Sequence, residues 1–199
     1  MSGRANLRNA SGGSITVEFA LVLPILLIFL LGIIDAGRFM WTWNQAEKAT
    51  QMGARYAAVT DAADDGMALY DYYTNDGIAR GEPIPSGNFG TETCTSTGCT
   101  CNTGETCPTL GALSPGFANT VARMRAIMPE IQAENVTIEY SFSGLGYSGD
   151  PSGPDVNPLI TVRLRNMSFR PSWLSVLAVP LPTFASTLSM EDGVGTISN

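Results

Sequence analysis

The chain has 199 residues, a formal net charge of −7 and only 15% charged residues. That length suffices for one compact domain with an appendage, and the acidic balance argues against a nucleic-acid partner, which would require a basic stripe. No histidine occurs, so the usual general base, triad member and metal ligand are removed together, and the expectation is a protein that is not an enzyme and holds no cofactor and no metal.

Residues 1–13 form a short leader with Arg4 and Arg8 and no acid. Of the 11 basic residues these two precede the first acid, leaving nine against 18 acidic residues downstream. Basic residues ahead of an apolar segment hold that end in the cytoplasm, so the acidic bulk is expected on the far side of a membrane.

From Phe19 to Ile34 every residue is apolar, Pro or Gly, and Ile15 and Val17 extend the run upstream. A span needs about 20 residues, so residues 14–34 suffice provided Glu18 is neutralised, because a carboxylate in hydrocarbon costs a few kcal/mol on insertion scales. Three readings compete. A cleaved secretory signal needs a small-x-small site after the run, whereas here "GIIDAGRFMW" follows. An uncut anchor explains the hydropathy and leaves Glu18 unexplained. Cleavage before the run, between Gly13 and Ser14, creates a cationic N-terminus at Ser14 with Glu18 as the fifth residue. The Glu of one subunit can then pair with the free amine of a neighbour, since a paired buried charge is tolerated and sets register where a lone one is penalised. A carboxylate resting among headgroups is the plainer alternative. Pro24 removes one helical hydrogen bond and tends to kink a helix; it serves either as a harmless membrane proline or as a bend for packing.

The basic leader ending in Gly, then Glu and a long apolar helix, resembles the class III signal of type IV pilins and pseudopilins. The wording "SITVEFALVLPILLIFLLGIIDAGRFMW", with the pair Glu18-Phe19 and the polar sequel "RFMWTWNQAEKATQMGARYAA", is similar to the TadE-like proteins of the tight-adherence (Tad, or Flp) pilus system. The resemblance covers Gly13 to about Asp61, roughly a third of the chain. It implies a minor pilin or pseudopilin in assembly of an adhesive pilus, cut by a prepilin peptidase between Gly13 and Ser14, with Glu18 and Phe19 serving assembly. The implied partners are that peptidase, other pilin subunits, the pilus assembly machinery and membrane lipid. The implied location is the inner membrane, single-pass, with a periplasmic or cell-surface C-terminal domain.

Residues 35–60 continue as an amphipathic helix: Phe39, Trp43, Ala46, Ala49, Gly53, Ala54 and Ala57 recur at helical spacing. Trp41 and Trp43 suit either a membrane interface or ordinary packing. Residues 61–199 form the extracytoplasmic domain. Asp61, Asp64, Asp65, Asp71 and Asp76 lack EF-hand spacing and read as a solvated acidic face. Residues 81–114, rich in Gly, Ser, Thr, Asn and Pro, read as a long loop that needs a staple or a function. All four cysteines lie in it, and outside the cytoplasm they favour disulfides. A Cys99–Cys101 bridge across one residue would be strained, so the pairings left are Cys94–Cys101 with Cys99–Cys107, or Cys94–Cys99 with Cys101–Cys107. Zinc is the lesser rival because paired C-x-x-C knuckles are missing.

Ser114-Pro115 opens a second helix, with cap and proline in order and a buried stripe at Phe117, Val121, Met124 and Met128. Two alternating strands follow, one on Val136, Ile138, Tyr140 and Phe142, the other on Ile160, Val162 and Leu164. "SGLGYSGDPSGPDVNP" connects them, its Asp150, Asp155 and Asn157 explained by turn chemistry. Trp173–Val179 reads as a short helix or apolar loop, and Phe184, Leu188 and Met190 as a third strand. The fold class is α+β, a long N-terminal helix packed on a small antiparallel sheet. Two rival functions stand beside the pilin reading: an uncleaved single-pass membrane protein with an extracytoplasmic binding domain, and a membrane-anchored hydrolase using carboxylates around Asp61–Asp76, which lacks a nucleophile-plus-base pair.

Overall fold

A computed structural model describes residues 11–108, 110–150, 154–173 and 176–191, with the side chains of 11–14 and 68 excepted. Two compact units result, Met1–Thr42 with Arg170–Ala178, and Trp43–Phe169 with Val179–Asn199. Helix α1, Ser11–Ala58, contributes residues to both and holds Pro24 inside it.

In the second unit the outer part of α1 buries a stripe of small residues, Ala46, Ala49, Ala54 and Ala57. Small side chains let the helix approach its neighbours closely. Gly53 marks the tightest point: a Cβ there would lie 2.8 Å from both Cγ and Sδ of Met124 and 3.4 Å from Cγ1 of Val162. Met124 belongs to α4, Pro115–Arg125, and Val162 to β4, Leu159–Leu164, so helix, helix and sheet meet at one glycine. Trp43 closes the upper end of this core by meeting Phe184 edge to face, centroids 5.3 Å apart.

The sheet has five strands: β1 (Glu92–Thr95), β2 (Gly98–Cys101), β3 (Val136–Ser141), β4 and β7 (Phe184–Ser189), in the order β2-β1-β3-β4-β7. Every pairing is antiparallel. Register follows the alternation of the sequence, since side chains two apart share a face. Val136 pairs with Leu164, Ile138 with Val162 and Tyr140 with Ile160, all six buried. Between them lie polar pairs, Arg163 with Glu139 at 3.3 Å and the hydroxyls of Thr161 and Thr187 at 2.9 Å. In β7, Phe184 and Met190 beyond its end are buried while Leu188 is partly exposed. A separate two-stranded pair joins β5, Ser168–Phe169, to β6, Val179–Pro180.

The stretch 81–114, expected to be loop throughout, supplies the hairpin β1–β2 and one edge of the main sheet. Its threonines carry β propensity, and alternation sends Glu92 and Cys94 inward while Thr93 and Thr95 are half-buried. An inward glutamate hides that pattern from a hydropathy reading.

Two short helices, α2 (Asp65–Leu69) and α3 (Tyr72–Asp76), begin at acidic caps. Asp64 Oδ1 accepts from Gly66 N–H at 3.0 Å and Gly111 N–H at 2.7 Å, and Asp71 Oδ1 accepts from Tyr73 N–H at 2.9 Å. Asp64 is fully buried, so the expected solvated acidic face does not include it. It thereby pairs the Gly66 N–H at the start of α2 and ties down the Gly111 N–H of the loop ahead of α4. Asp155 works likewise in the β3–β4 connection, accepting from Tyr72, Gly149 and Asp150 N–H groups at 2.9–3.0 Å. Helix α4 starts at Ser114, whose Oγ accepts from Gly116 N–H at 2.9 Å.

Candidate membrane and assembly site

The first part of α1 is a continuous hydrophobic surface. From Ile15 to Ile34 every residue is exposed, Phe19 at 62%. Isolated exposed aliphatics are ordinary, whereas a contiguous apolar surface of this extent marks a partner or a membrane. The helix is long and apolar enough to cross a bilayer. Its internal hydrogen bonds satisfy the backbone, which is what hydrocarbon demands.

The leader residues 1–10 lie outside the described residues. Gly13 and Ser14 are helical in backbone, continuous with the span, so no break in α1 sets the junction apart. Glu18 is exposed and makes no ion pair among the described residues. It sits four positions from Ser14, about one turn along the helix. The chain therefore presents a lone carboxylate beside a large aromatic at the start of a greasy surface, with nothing from its own described residues to compensate it.

At the other end the first charge after the span is neutralised internally. Asp35 is buried, and its Oδ1 accepts from Ser172 N–H at 2.9 Å and from Arg38 Nη1 at 3.1 Å. Arg38 also donates to Ser172 Oγ. A carboxylate at the edge of hydrocarbon is more tolerable when its charge is paired and donors reach it. One donor to Oδ1 is 137 positions away in sequence, a contact that no local pattern signals, and Oδ2 is buried without a hydrogen-bond partner.

The four cysteines form Cys94–Cys99 and Cys101–Cys107. The first bridges directly opposed residues of the β1–β2 hairpin; the second ties the end of β2 to the segment behind it. Glu92, Cys94 and Cys99 gather a carboxylate oxygen and two sulfurs within 4.8 Å, but the sulfurs are joined to each other and offer no thiolate.

Glu92 is the feature sequence reasoning missed. Its side chain is fully buried on the inner face of β1. Oε1 lies 3.3 Å from the Cys94 sulfur, which as a disulfide sulfur has no proton to give. Oε2 has no donor, and neither does Oδ2 of Asp64, the carboxyl beside it. Two ionised carboxylates would repel there; one proton on Glu92 turns the two orphan oxygens into a single hydrogen bond. Burial first, then the Asp64 charge and that bond, push the Glu92 carboxyl up to about 8. Tyr140 stands behind the pair, its hydroxyl accepting from Ala63 N–H at 2.7 Å, and burial raises its phenol as well. This is a buried clasp between β1 and the turn that follows α1.

A groove of about 410 Å³ lies beside α1 and α4, with Arg55, Arg123 and Glu191 around Met52, Tyr56 and Leu188.

The family model described as TadE-like protein matches residues 13–55. The matched stretch begins at Gly13, covers Glu18, Phe19 and the whole apolar run, and ends within the Ala/Gly stripe of α1. No curated protein and no solved structure matches the chain.

Proposed function

We propose that this chain is a minor pilin or pseudopilin that serves assembly of a tight-adherence type pilus. The observation that carries the reading is the TadE-like match at residues 13–55 falling on a helix whose apolar run from Ile15 to Ile34, with Glu18 in it, is exposed throughout. Such a surface needs a bilayer before assembly and other subunits afterwards. In this reading a prepilin peptidase cuts between Gly13 and Ser14, and the new α-amine of one subunit meets Glu18 of another. Phe19 and the residues after it pack against neighbouring helices. The protein carries out no chemistry of its own; it is a substrate once and a building block thereafter, bearing a disulfide-pinned domain outside the cytoplasm.

The test is a pair of substitutions read by immunoblot and by piliation. Gly13→Ala should slow leader removal, leaving the longer species dominant. Glu18→Ala should be processed like wild type yet fail to support pili. Normal processing of the Gly13 variant removes the cleavage step, and normal piliation of the Glu18 variant removes the pairing role. In the first case the uncleaved single-pass protein with a binding domain takes precedence.

A further inference from the structure

We propose that the loop Arg170–Ala178 is a second membrane contact, seating Trp173, Val176 and Leu177 in the lipid interface beside the point where α1 leaves the bilayer. The inference rests on the reading of residues 14–34 as a span.

Three observations carry it. The loop and the first part of α1 belong to one compact unit. The loop is pinned to the helix at a defined height, because Ser172 gives its backbone N–H to Asp35 Oδ1 at 2.9 Å and its hydroxyl accepts from Arg38. Asp35 directly follows Ile34, the last residue of the apolar run. Any segment held there lies at headgroup level whenever the helix spans.

The loop's composition suits that level. Val176 is 95% exposed, Leu177 55% and Trp173 43%, three large apolar groups within five residues. A loop in water gains nothing by displaying them. The same residues next to a bilayer bury their area in the acyl boundary, and tryptophan prefers the interface itself. Arg38 and Arg170 bracket the apolar residues and are exposed, placed where lipid phosphates lie. Trp41 on α1, 68% exposed six residues beyond Asp35, adds a second interfacial aromatic in the same unit. From sequence this stretch reads as a short helix or apolar loop; what gives it a role is the Asp35–Ser172 tie.

A loop fixed in this way would limit tilt and rotation of the span, which anchoring residues and packing set. It would also hold the subunit in one orientation before assembly.

The test uses the full chain reconstituted in phosphatidylcholine vesicles, with and without phosphatidylcholine brominated on its acyl chain. Subtracting the emission of Trp173→Phe from that of the unmodified protein isolates Trp173. The expected result is loss of most of the Trp173 emission with brominated lipid and little loss with aqueous acrylamide. Val176→Asp combined with Leu177→Asp should restore the emission and open it to acrylamide, and Asp35→Asn should do so in part. An alkaline wash of the same vesicles tests the span separately, since the helix alone should retain the double variant. If the protein resists the wash while Trp173 is quenched by acrylamide and not by bromine, the loop contact is wrong and the span stands. Shielding of Trp173 from both quenchers would mean that protein covers the loop, which also overturns the proposal. Release of the unmodified protein by the wash would overturn the span and the loop contact together.

Discussion

One helix meets two environments, and the contrast between its ends explains most of the molecule. Residues 15–34 are large, apolar and exposed; residues 46–57 present alanines and one glycine that are buried. Bulky side chains that the described residues leave uncovered call for a partner elsewhere, in lipid or in another protein surface. Small side chains allow close approach of α4 and β4, and the burial is completed within the chain. Residue size, more than hydrophobicity, separates the half of the helix that is buried from the half that is exposed.

The contrast can be broken most forcefully in the exposed half. Leu26→Arg places a charge near the middle of the span at a cost of about 2.5–3.5 kcal/mol. It should shift the protein from the membrane pellet to the soluble or degraded fraction while the melting temperature of the outer domain, measured in detergent, is unchanged.

Glycines sharpen it next. Gly53→Val drives side-chain atoms into Met124 and Val162, and overpacking of this kind costs roughly 1–3 kcal/mol. Thermal unfolding should report a drop of about 2–4 °C for each kcal/mol. Gly32→Val and Gly37→Val meet nothing within 4 Å and should leave that melting temperature where it was. Equal effects at Gly32 and Gly53 would erase the distinction between the two halves.

Reduction of the disulfides comes third. Each closes a short loop, for which chain entropy gives roughly 2 kcal/mol. Dithiothreitol should therefore lower the domain's melting temperature and leave membrane pelleting untouched.

The Glu92–Asp64 clasp gives an effect of definite sign. The Glu92 carboxyl is raised from an ordinary 4.5 to about 8 in the fold, so the folded state holds a proton that the unfolded state releases. Its stabilising contribution is complete below about pH 4.5 and is lost as the pH rises through about 8. Melting temperature should fall over that window, and Glu92→Gln, which keeps a donor for Asp64, should flatten the fall. A Glu92→Gln profile as steep as that of the unmodified protein would assign the pH dependence to other groups.

Much of this was readable from the residues. The long apolar helix follows from an unbroken apolar run, and its amphipathic continuation, the second helix with its Ser114 cap, and strands β3 and β4 follow from periodicity and capping, because in each of these the apolar residues repeat at the period of the element. The hairpin β1–β2 escaped because its buried positions hold Glu92 and Cys94 where valines would have announced a strand. Asp64 escaped because a buried carboxylate is identical in sequence to a solvated one until its partners, Gly111 and Glu92, are brought to it by the fold. Both cysteine pairings with adequate reach were legible; choosing between them required the register that sets Cys94 opposite Cys99. The Asp35–Ser172 tie had no local signal at all.

The proposed function turns on the Gly13–Ser14 bond, because cleavage there would supply the amine that pairs with Glu18 among apolar helices. N-terminal sequencing of the protein isolated from its native membrane tests this most directly. The predicted result is a dominant species beginning Ser14-Ile15-Thr16-Val17-Glu18. A dominant species that retains residues upstream of Gly13 would contradict the account.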